Sequence, residues 1–492
     1  MDTFIDTFSD ELQAYIDNAG LKIQTLSKLT MIERTRLHKI ISGDRMPDEE
    51  MLEKIISVLM LTPEQSSRLR KLYAIRKMGG SIYSRHMLVK NMIENMGNLP
   101  ARNSNINFSF YHSMGDQTSC TLYGTNEIQS TLKAIVEMEA AKPSGKIMII
   151  AQPDFSFLLD MLTILGQHKP DLCVEHIICL QQSVGEKDDN HHNISCLSAI
   201  SPLLSSLLKY NPLVYYDHVK SHINSTSILP YIIMTEDCVL NISYDIKHAL
   251  FFRSGPFMEF YASIYKNIYA ISKPMFNRLG SALEYLGHYE NTSAFSCNAT
   301  LFPEPCIGFF ITRNKQMLNK YCLPDFPGRL EIINIYSGLM EKRYQKYSEY
   351  NNIIESYFTV EGLDKFISTG RVSELPDDYY IPIEKIDRYR LLQEMYTLSK
   401  KGLFYPAIIN TLNFKVPENI VVASALVPLS ASIVCIHPQF GPMAFDLNEQ
   451  SLVFSIANFL EYLKKSDMVL SVEKTLEIIE DRLEKLKNEI GR

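Results

Sequence analysis

The sequence predicts a multidomain protein, an all-α helix-turn-helix N-terminal domain followed by a large α/β region whose pattern admits two related halves. Three observations carry this. Between Leu21 and Gly43, apolar residues recur at helical spacing on either side of a turn: Leu21, Leu26 and Leu29 on one short helix, Ile32 in the turn, Leu37, Ile40 and Ile41 on a second. From about Asn107 the pattern changes to short apolar strands alternating with amphipathic helices. With 492 residues, 46% of them hydrophobic, the chain is too long for one core and rich enough for several.

In chain order, Ser9-Asp10 caps a first helix through Leu12, Tyr15 and Ile16, stopped by Gly20. The helix pair follows. After Pro47, the acids Asp48, Glu49 and Glu50 suit the N-terminus of a helix running to about Met60. Thr62 is placed to cap the next helix, with Pro63 at its first position, and Gly79-Gly80 ends the first domain. A helical connector runs from Ser81 to Met96. The α/β region then reads helix Asn126–Ala141, strand Lys146–Ala151, helix Asp154–Leu165 and strand Cys173–Leu180, an order that implies a parallel crossover unit. Strands at Tyr231–Met234, Val239–Ile242 and Ala249–Phe252 lead into a helix from Pro256 to Ile271. The later residues echo this plan: Arg329–Tyr357 reads as a long charged helix, Ile386–Lys401 as another, and Ile420–Ile436 as two buried strands joined through Pro428. A strand at Gly441–Asp446 and a helix at Gln450–Lys464 close the second half as the first one closes, so a diverged duplication is one reading. The expected domains are 1–80, the helix-turn-helix; 81–106, the connector; 107–290, a sensory α/β domain; and 291–492, a second α/β domain ending in an amphipathic helix.

The solvent face of the second motif helix carries Arg34, Thr35, Arg36, His38 and Lys39, flanked by Gln24 and Arg45. Cations and hydrogen-bonding side chains are the types that pair with phosphate oxygens and guanine edges, so this face is the candidate contact to double-stranded DNA. The stretch from about Leu12 to Leu61 resembles the Cro/CI-type (XRE) helix-turn-helix domain of bacterial and phage regulators. The resemblance rests on Gly20-Leu21, Leu26, Ile32, Arg34, Ile40, the exit Ser42-Gly43-Asp44-Arg45-Met46-Pro47, and the helix spaced by Leu52, Ile55, Ile56 and Leu59. It implies a bacterial, cytoplasmic transcriptional regulator. Two departures stand out: Ile23 with Gln24 beside it where the family has Gln, and Met31 in the turn where it has Gly. A methionine there must accept a left-handed backbone or bend the chain differently.

Composition narrows the rest. A net charge of −7 rules out an overall basic field, so DNA binding must come from a local patch. Nine scattered cysteines without a C-x-x-C pair argue against a disulfide framework and a zinc site, and the acidic start MDTFIDTFSDEL lacks the order of a signal peptide. No cofactor and no membrane partner is expected. For chemistry, the sharpest candidate is His218-Val219-Lys220, an H-x-K that gives the α/β region a faint phospholipase D-like resemblance. The continuation expected in that family would place Asp at Ser225, and no second H-x-K occurs. His191-His192 beside Asp188-Asp189 reads as a solvated loop rather than a metal site. Tyr215-Tyr216 and Tyr379-Tyr380 are candidate pocket linings, with core packing the commoner use.

The expectation is a sequence-specific regulator, without enzymatic activity, acting as a homodimer. A C-terminal seam of Val472, Leu476, Ile479, Leu483, Leu486 and Ile490 offers either a dimer contact or an amphipathic helix packed on its own domain. Its α/β body serves sensing, of a small-molecule or peptide ligand, or oligomerisation. Two alternatives stand beside it: an enzyme, of phosphodiester-related chemistry, with a DNA-targeting head, and a protein-binding adaptor.

Overall fold

The computed structural model describes residues 7–96, 118–182, 191–217, 229–253, 255–279, 299–307, 314–325, 329–330, 333–334, 337–338, 353–372, 380–426, 429–437 and 441–491. Contacts divide the chain into two compact units, Met1–Met87 and Leu88–Arg492.

The N-terminal unit is a bundle of five helices, α1 (Phe8–Asn18), α2 (Ile23–Thr30), α3 (Arg34–Ile41), α4 (Glu49–Leu59) and α5 (Pro63–Met78); α6 (Gly80–Met96) follows and contains the division between the units. The cap of α1 is Thr7, in a reciprocal pair with Asp10, and not Ser9-Asp10, which lie inside the first turn; Asp48 caps α4 and Thr62 caps α5 with Gln65, each satisfying amides that the first helical turn leaves open. One core joins the five: Leu12, Ile16, Leu26, Ile32, Leu37, Ile40, Leu52, Ile55 and Leu69 are all buried. Leu29 departs from its expected inward position and is exposed. The inward stripe of α2 is instead Ile23, Leu26 and Thr30, spaced three and four apart, and Thr30 can be buried because its hydroxyl donates to the Leu26 carbonyl at 2.7 Å.

The C-terminal unit holds two mixed sheets. The first contains β1 (Ser119–Tyr123), β2 (Lys146–Ile150), β3 (Cys173–Leu180), β4 (Lys209–Tyr216), β5 (Tyr231–Met234), β6 (Val239–Ile242), β7 (His248–Phe252) and β8 (Lys273–Pro274) in the order β1-β7-β6-β5-β2-β3-β4-β8. The second contains β9 (Phe276–Leu279), β10 (Ala299–Leu301), β11 (Ile354–Phe358), β12 (Phe404–Ile408), β13 (Ile420–Leu426), β14 (Leu429–His437) and β15 (Gly441–Leu447) in the order β12-β11-β10-β13-β14-β15-β9. Read from β9, that order repeats the first. In each sheet three parallel strands, β2-β3-β4 or β10-β11-β12, sit beside an antiparallel meander, β5-β6-β7 or β13-β14-β15, whose far edge takes an antiparallel strand from before the set, β1 or β9. The unit is therefore built of two halves of one topology.

Helices α7 (Thr125–Ala140), α8 (Ser156–Leu165) and α9 (His192–Leu204) connect the strands of the first half, and α10 (Pro256–Ile271) follows β7. In the second half come α11 (Lys315–Tyr321), α12 (Val360–Thr369), α13 (Lys385–Lys400), then α14 (Gln450–Leu463) after β15, and α15 (Val472–Ile490). The long helix expected through Tyr357 is corrected at its end: Ile354–Phe358 is the buried strand β11. Its Glu355 gave the stretch a charged look, but that carboxylate is buried and takes the Lys464 ammonium at 2.6 Å and the Tyr357 hydroxyl at 2.9 Å. The C-terminal seam is used internally, with Leu476, Ile479, Leu483 and Leu486 buried in the core that α15 shares with α13 and β12. Among the described residues, no helix is long and apolar enough to cross a membrane.

Candidate nucleic-acid interface

The motif turns at Met31, whose backbone is left-handed at φ 55° and ψ 28°. Of the two ways a methionine could serve there, the chain takes the left-handed one, at a cost of roughly 1 to 2 kcal/mol. The side chain is 91% exposed, so nothing in the core depends on it. The Ser27 hydroxyl closes the turn by donating to the Ile32 carbonyl at 2.6 Å, and Ile32 plugs into the core beneath.

On α3, an eight-residue helix, Arg34, Thr35, His38 and Lys39 stand at i, i+1, i+4 and i+5. At about 3.6 residues per turn these positions form one stripe opposite Leu37 and Ile40, which are fully buried. All four are exposed. Arg36 falls outside the stripe, next to Ile40; it is half-buried, and its Nη2 donates to Asp48 Oδ2 at 3.3 Å. It braces α3 against the cap of α4. Thr35 donates its hydroxyl to Glu33 Oε1 at 2.8 Å. After Gly43 (φ 81°) the chain folds back so that the Arg45 amide donates to the Lys39 carbonyl at 2.9 Å, which sets exposed Arg45 beside the end of α3. Gln24 lies exposed in the first turn of α2.

The charges of this unit are sorted. Arg68 pairs with Glu11, Arg70 with Glu53, Lys77 with Glu49, and Lys54 with Glu50, all at 2.6 to 2.8 Å. Among the described residues, Lys22, Lys28, Arg34, Lys39 and Arg45 make no ion pair; nor do Lys71 and Arg76 on α5. Between Leu21 and Pro47 six Lys and Arg face only two acids, so the motif is locally basic within an acidic chain. Helix ends follow the same division. α1, α4 and α5 have side-chain caps, whereas α2 and α3 have none. The uncapped start of α2, with Lys22 at its N-cap, presents open amides and a cation, the arrangement that accepts a phosphate. Glu33 at the start of α3 opposes an anion there.

In the C-terminal unit, a cleft of about 180 Å³ opens where the parallel strands β2, β3 and β4 end, lined by Gln152, Asp154, Cys179, Tyr215, Tyr231 and Tyr244 among others. Tyr231 donates to Asp154 Oδ1 at 2.9 Å, and partial burial raises the Asp154 carboxyl above its ordinary value. Strand ends are where α/β sheets hold ligands, a rule that could have pointed from strand Lys146–Ala151 to Asp154. Of the predicted pocket tyrosines, Tyr215 lines this cleft; Tyr216 donates to Glu449 at 3.2 Å, and Tyr380 is buried holding Val372. His192 Nε2 lies 3.1 Å from the Cys179 carbonyl and 3.3 Å from Cys196 Sγ, whose thiol burial drives far up, away from a nucleophilic thiolate. Asp188, Asp189, His218, Lys220, Ser225 and Tyr379 lie outside the described residues. Among those described, no group of three or more metal-ligating side chains occurs.

The duplication gives the H-x-K a counterpart. The Asp217 amide donates to the Leu180 carbonyl at 3.2 Å, and the Ile409 amide donates to the Phe358 carbonyl at 2.6 Å, each being the first residue beyond the third parallel strand of its half. His218-Val219-Lys220 therefore aligns with Asn410-Thr411-Leu412. Asn410 is structural, its side-chain amide donating to the Asp467 carbonyl at 3.3 Å while its carbonyl oxygen accepts from the Leu412 amide at 3.3 Å.

No family model and no curated protein matches the chain. Among solved structures, it is similar to TrmBL2, an archaeal chromatin protein described as showing a novel mode of DNA binding, at 10% identity over 54% of this chain and 93% of that one, with a TM-score of 0.22. It is also similar to the phosphatidylserine synthase of Haemophilus influenzae Rd KW20, at 11% identity over 76% of this chain and 93% of that one, with a TM-score of 0.21. At these scores the two are neighbours in shape and carry no argument about what this chain does.

Proposed function

We propose that the protein is a sequence-specific DNA-binding transcriptional regulator of the Cro/CI type, with α3 in the major groove. The observation that carries this reading is the stripe Arg34, Thr35, His38 and Lys39, exposed with its cations unpaired, in a motif where six Lys and Arg face two acids. An unpaired arginine and lysine on one short helix, with a threonine and a histidine between them, match the donors that read base edges and phosphates. Lys22 and the open end of α2 supply a backbone contact next to it. An adaptor binding a protein through this face would have little use for such a concentration of idle positive charge.

The C-terminal unit then serves as the sensory part, binding a ligand without transforming it. Two features support this. The cleft at the ends of β2 to β4 offers a carboxyl and tyrosine hydroxyls but no activated nucleophile among its described side chains, and the second half has Asn410-Thr411-Leu412 where a second H-x-K would be required. Selection of DNA from a random pool by the full chain tests the reading. The expected result is a recovered consensus whose affinity falls steeply with salt; recovery of no sequence preference at moderate salt would overturn it. Hydrolysis of a phosphodiester by the full chain, lost on His218→Ala, would overturn the non-catalytic part.

A further inference from the structure

One carboxylate stands at the leading end of the cationic stripe on α3. Glu33 occupies the N-cap of that helix, where side chains usually accept an amide of the first turn, yet it makes no such cap. It is exposed, and among the described residues it makes no ion pair. What it meets is Thr35, a member of the stripe, whose hydroxyl donates to Glu33 Oε1 at 2.8 Å. The Glu33 backbone is not helical, so it is this bond that holds the carboxylate against the stripe. The bond has a second consequence. A hydroxyl has one hydrogen to give, and Thr35 gives it to Glu33. Towards a partner the pair then offers only oxygen acceptors, whereas Arg34, Lys39 and Arg45 offer only donors.

The leading end of a recognition helix is the part that comes nearest the base edges. On a polyanion, an acceptor-only pair is repelled by phosphates and finds its partner in an amino group of a base. The major groove holds two kinds. Adenine N6 stands beside the N7 acceptor of its own base, which repels a carboxylate; cytosine shows N4 as a donor with no acceptor of its own beside it.

We propose that Glu33 is a specificity-determining residue that accepts a hydrogen bond from cytosine N4, with Thr35 the positioning residue that holds its carboxylate. The proposal rests on the DNA-binding reading above and adds one base to it. Glu33 works as much by refusal as by attraction. Over thymine its carboxylate faces O4, and over guanine it faces O6 and N7, so it is left without a donor beside further negative charge.

The test is selection of DNA from a random pool by the full chain, repeated with Glu33→Gln, Thr35→Val and Arg34→Ala. The wild type is expected to require cytosine at one position of the recovered site. Glu33→Gln installs the side chain that pairs with adenine N6 and N7, and should replace cytosine by adenine at that position alone, with about a tenfold loss of affinity for the cytosine site. Thr35→Val keeps the shape and removes the hydroxyl, and should weaken the cytosine preference at the same position about threefold while the other positions stay as they were. Both substitutions are at exposed positions, and the melting temperature should not move. An unchanged consensus with Glu33→Gln, or a preference lost evenly across all positions, would overturn the assignment. Arg34→Ala separates this contact from the reading it rests on. A consensus that changes with Arg34 but not with Glu33 leaves the regulator standing and removes only the cytosine contact, whereas a wild type that selects no consensus removes both.

Discussion

The α3 face of the N-terminal unit holds Arg34 and Lys39 exposed without an ion pair, whereas several buried ionic groups of the C-terminal unit are committed to its own scaffold. In the larger unit Glu355 and Lys464 tie β11 to the end of α14, buried Asp387 takes Lys320 at 2.8 Å and Arg390 at 2.9 Å, and Glu304, 2% exposed, takes Lys365 at 3.0 Å. His176, fully enclosed, bridges the Tyr210 hydroxyl at 2.8 Å and the Ala151 carbonyl at 3.0 Å. Such groups hold a shape and have no capacity left for a partner. Arg34, Lys39 and Arg45 have all of theirs. The difference teaches that the sign of the whole chain, −7, says little about function, and that the distribution of pairing says more.

The largest effect that could break this contrast is one of acid on the scaffold. Burial drives the His176 imidazole down to about 4 from its ordinary 6.5, so the folded state holds it neutral where the unfolded chain takes a proton. Its contribution is complete above pH 6.5 and is lost as pH falls toward 4, amounting to roughly 3 kcal/mol. Urea unfolding of the full chain across that window should show the loss, and His176→Gln should flatten it; an unchanged slope in the variant would place the effect elsewhere. Next in size, Gly43→Val should destabilise the N-terminal unit by roughly 2 kcal/mol, because the backbone there is left-handed at φ 81° and an added Cβ would stand 2.9 Å from Ser9 Oγ. Met31→Gly should do the reverse, relieving the left-handed methionine for a net gain of up to about 1 kcal/mol after the glycine's extra freedom in the unfolded chain. A lower melting temperature in that variant would mean that the methionine side chain does more than its exposure allows. Smallest, Arg68→Ala and Lys77→Ala remove paired, partly exposed cations and should cost less than about 1 kcal/mol each in stability, with no change in DNA affinity.

Much of this was legible from residue spacing. The helices around Leu12, Leu52 and Leu69, with the caps of the last two, the strands at Lys146, Cys173 and Tyr231, and the helices after β7 and β15 follow from periodicity and turn chemistry, and so does the hint of two halves. What escaped did so for physical reasons. β4 and β12 contain Pro212 and Pro406, which mask a strand pattern, and β11 hides a buried glutamate whose partner, Lys464, is more than a hundred residues away. The exposed stripe of α3 was legible apart from Arg36. Only the packing of α3 shows that its guanidinium is turned to Asp48, and only the carboxylate partners of α5 show which cations are free.

The most direct test of the central claim is the affinity of the full chain for its selected DNA site at moderate salt, with Arg34→Ala and Lys39→Ala combined. Two contacts of about 1 to 3 kcal/mol each predict a loss of about 30-fold or more. The matched change at Arg68 and Lys77 should leave the affinity as it was. Equal losses from the two pairs, or no loss from the first, would contradict the assignment of α3 as the face that reads DNA.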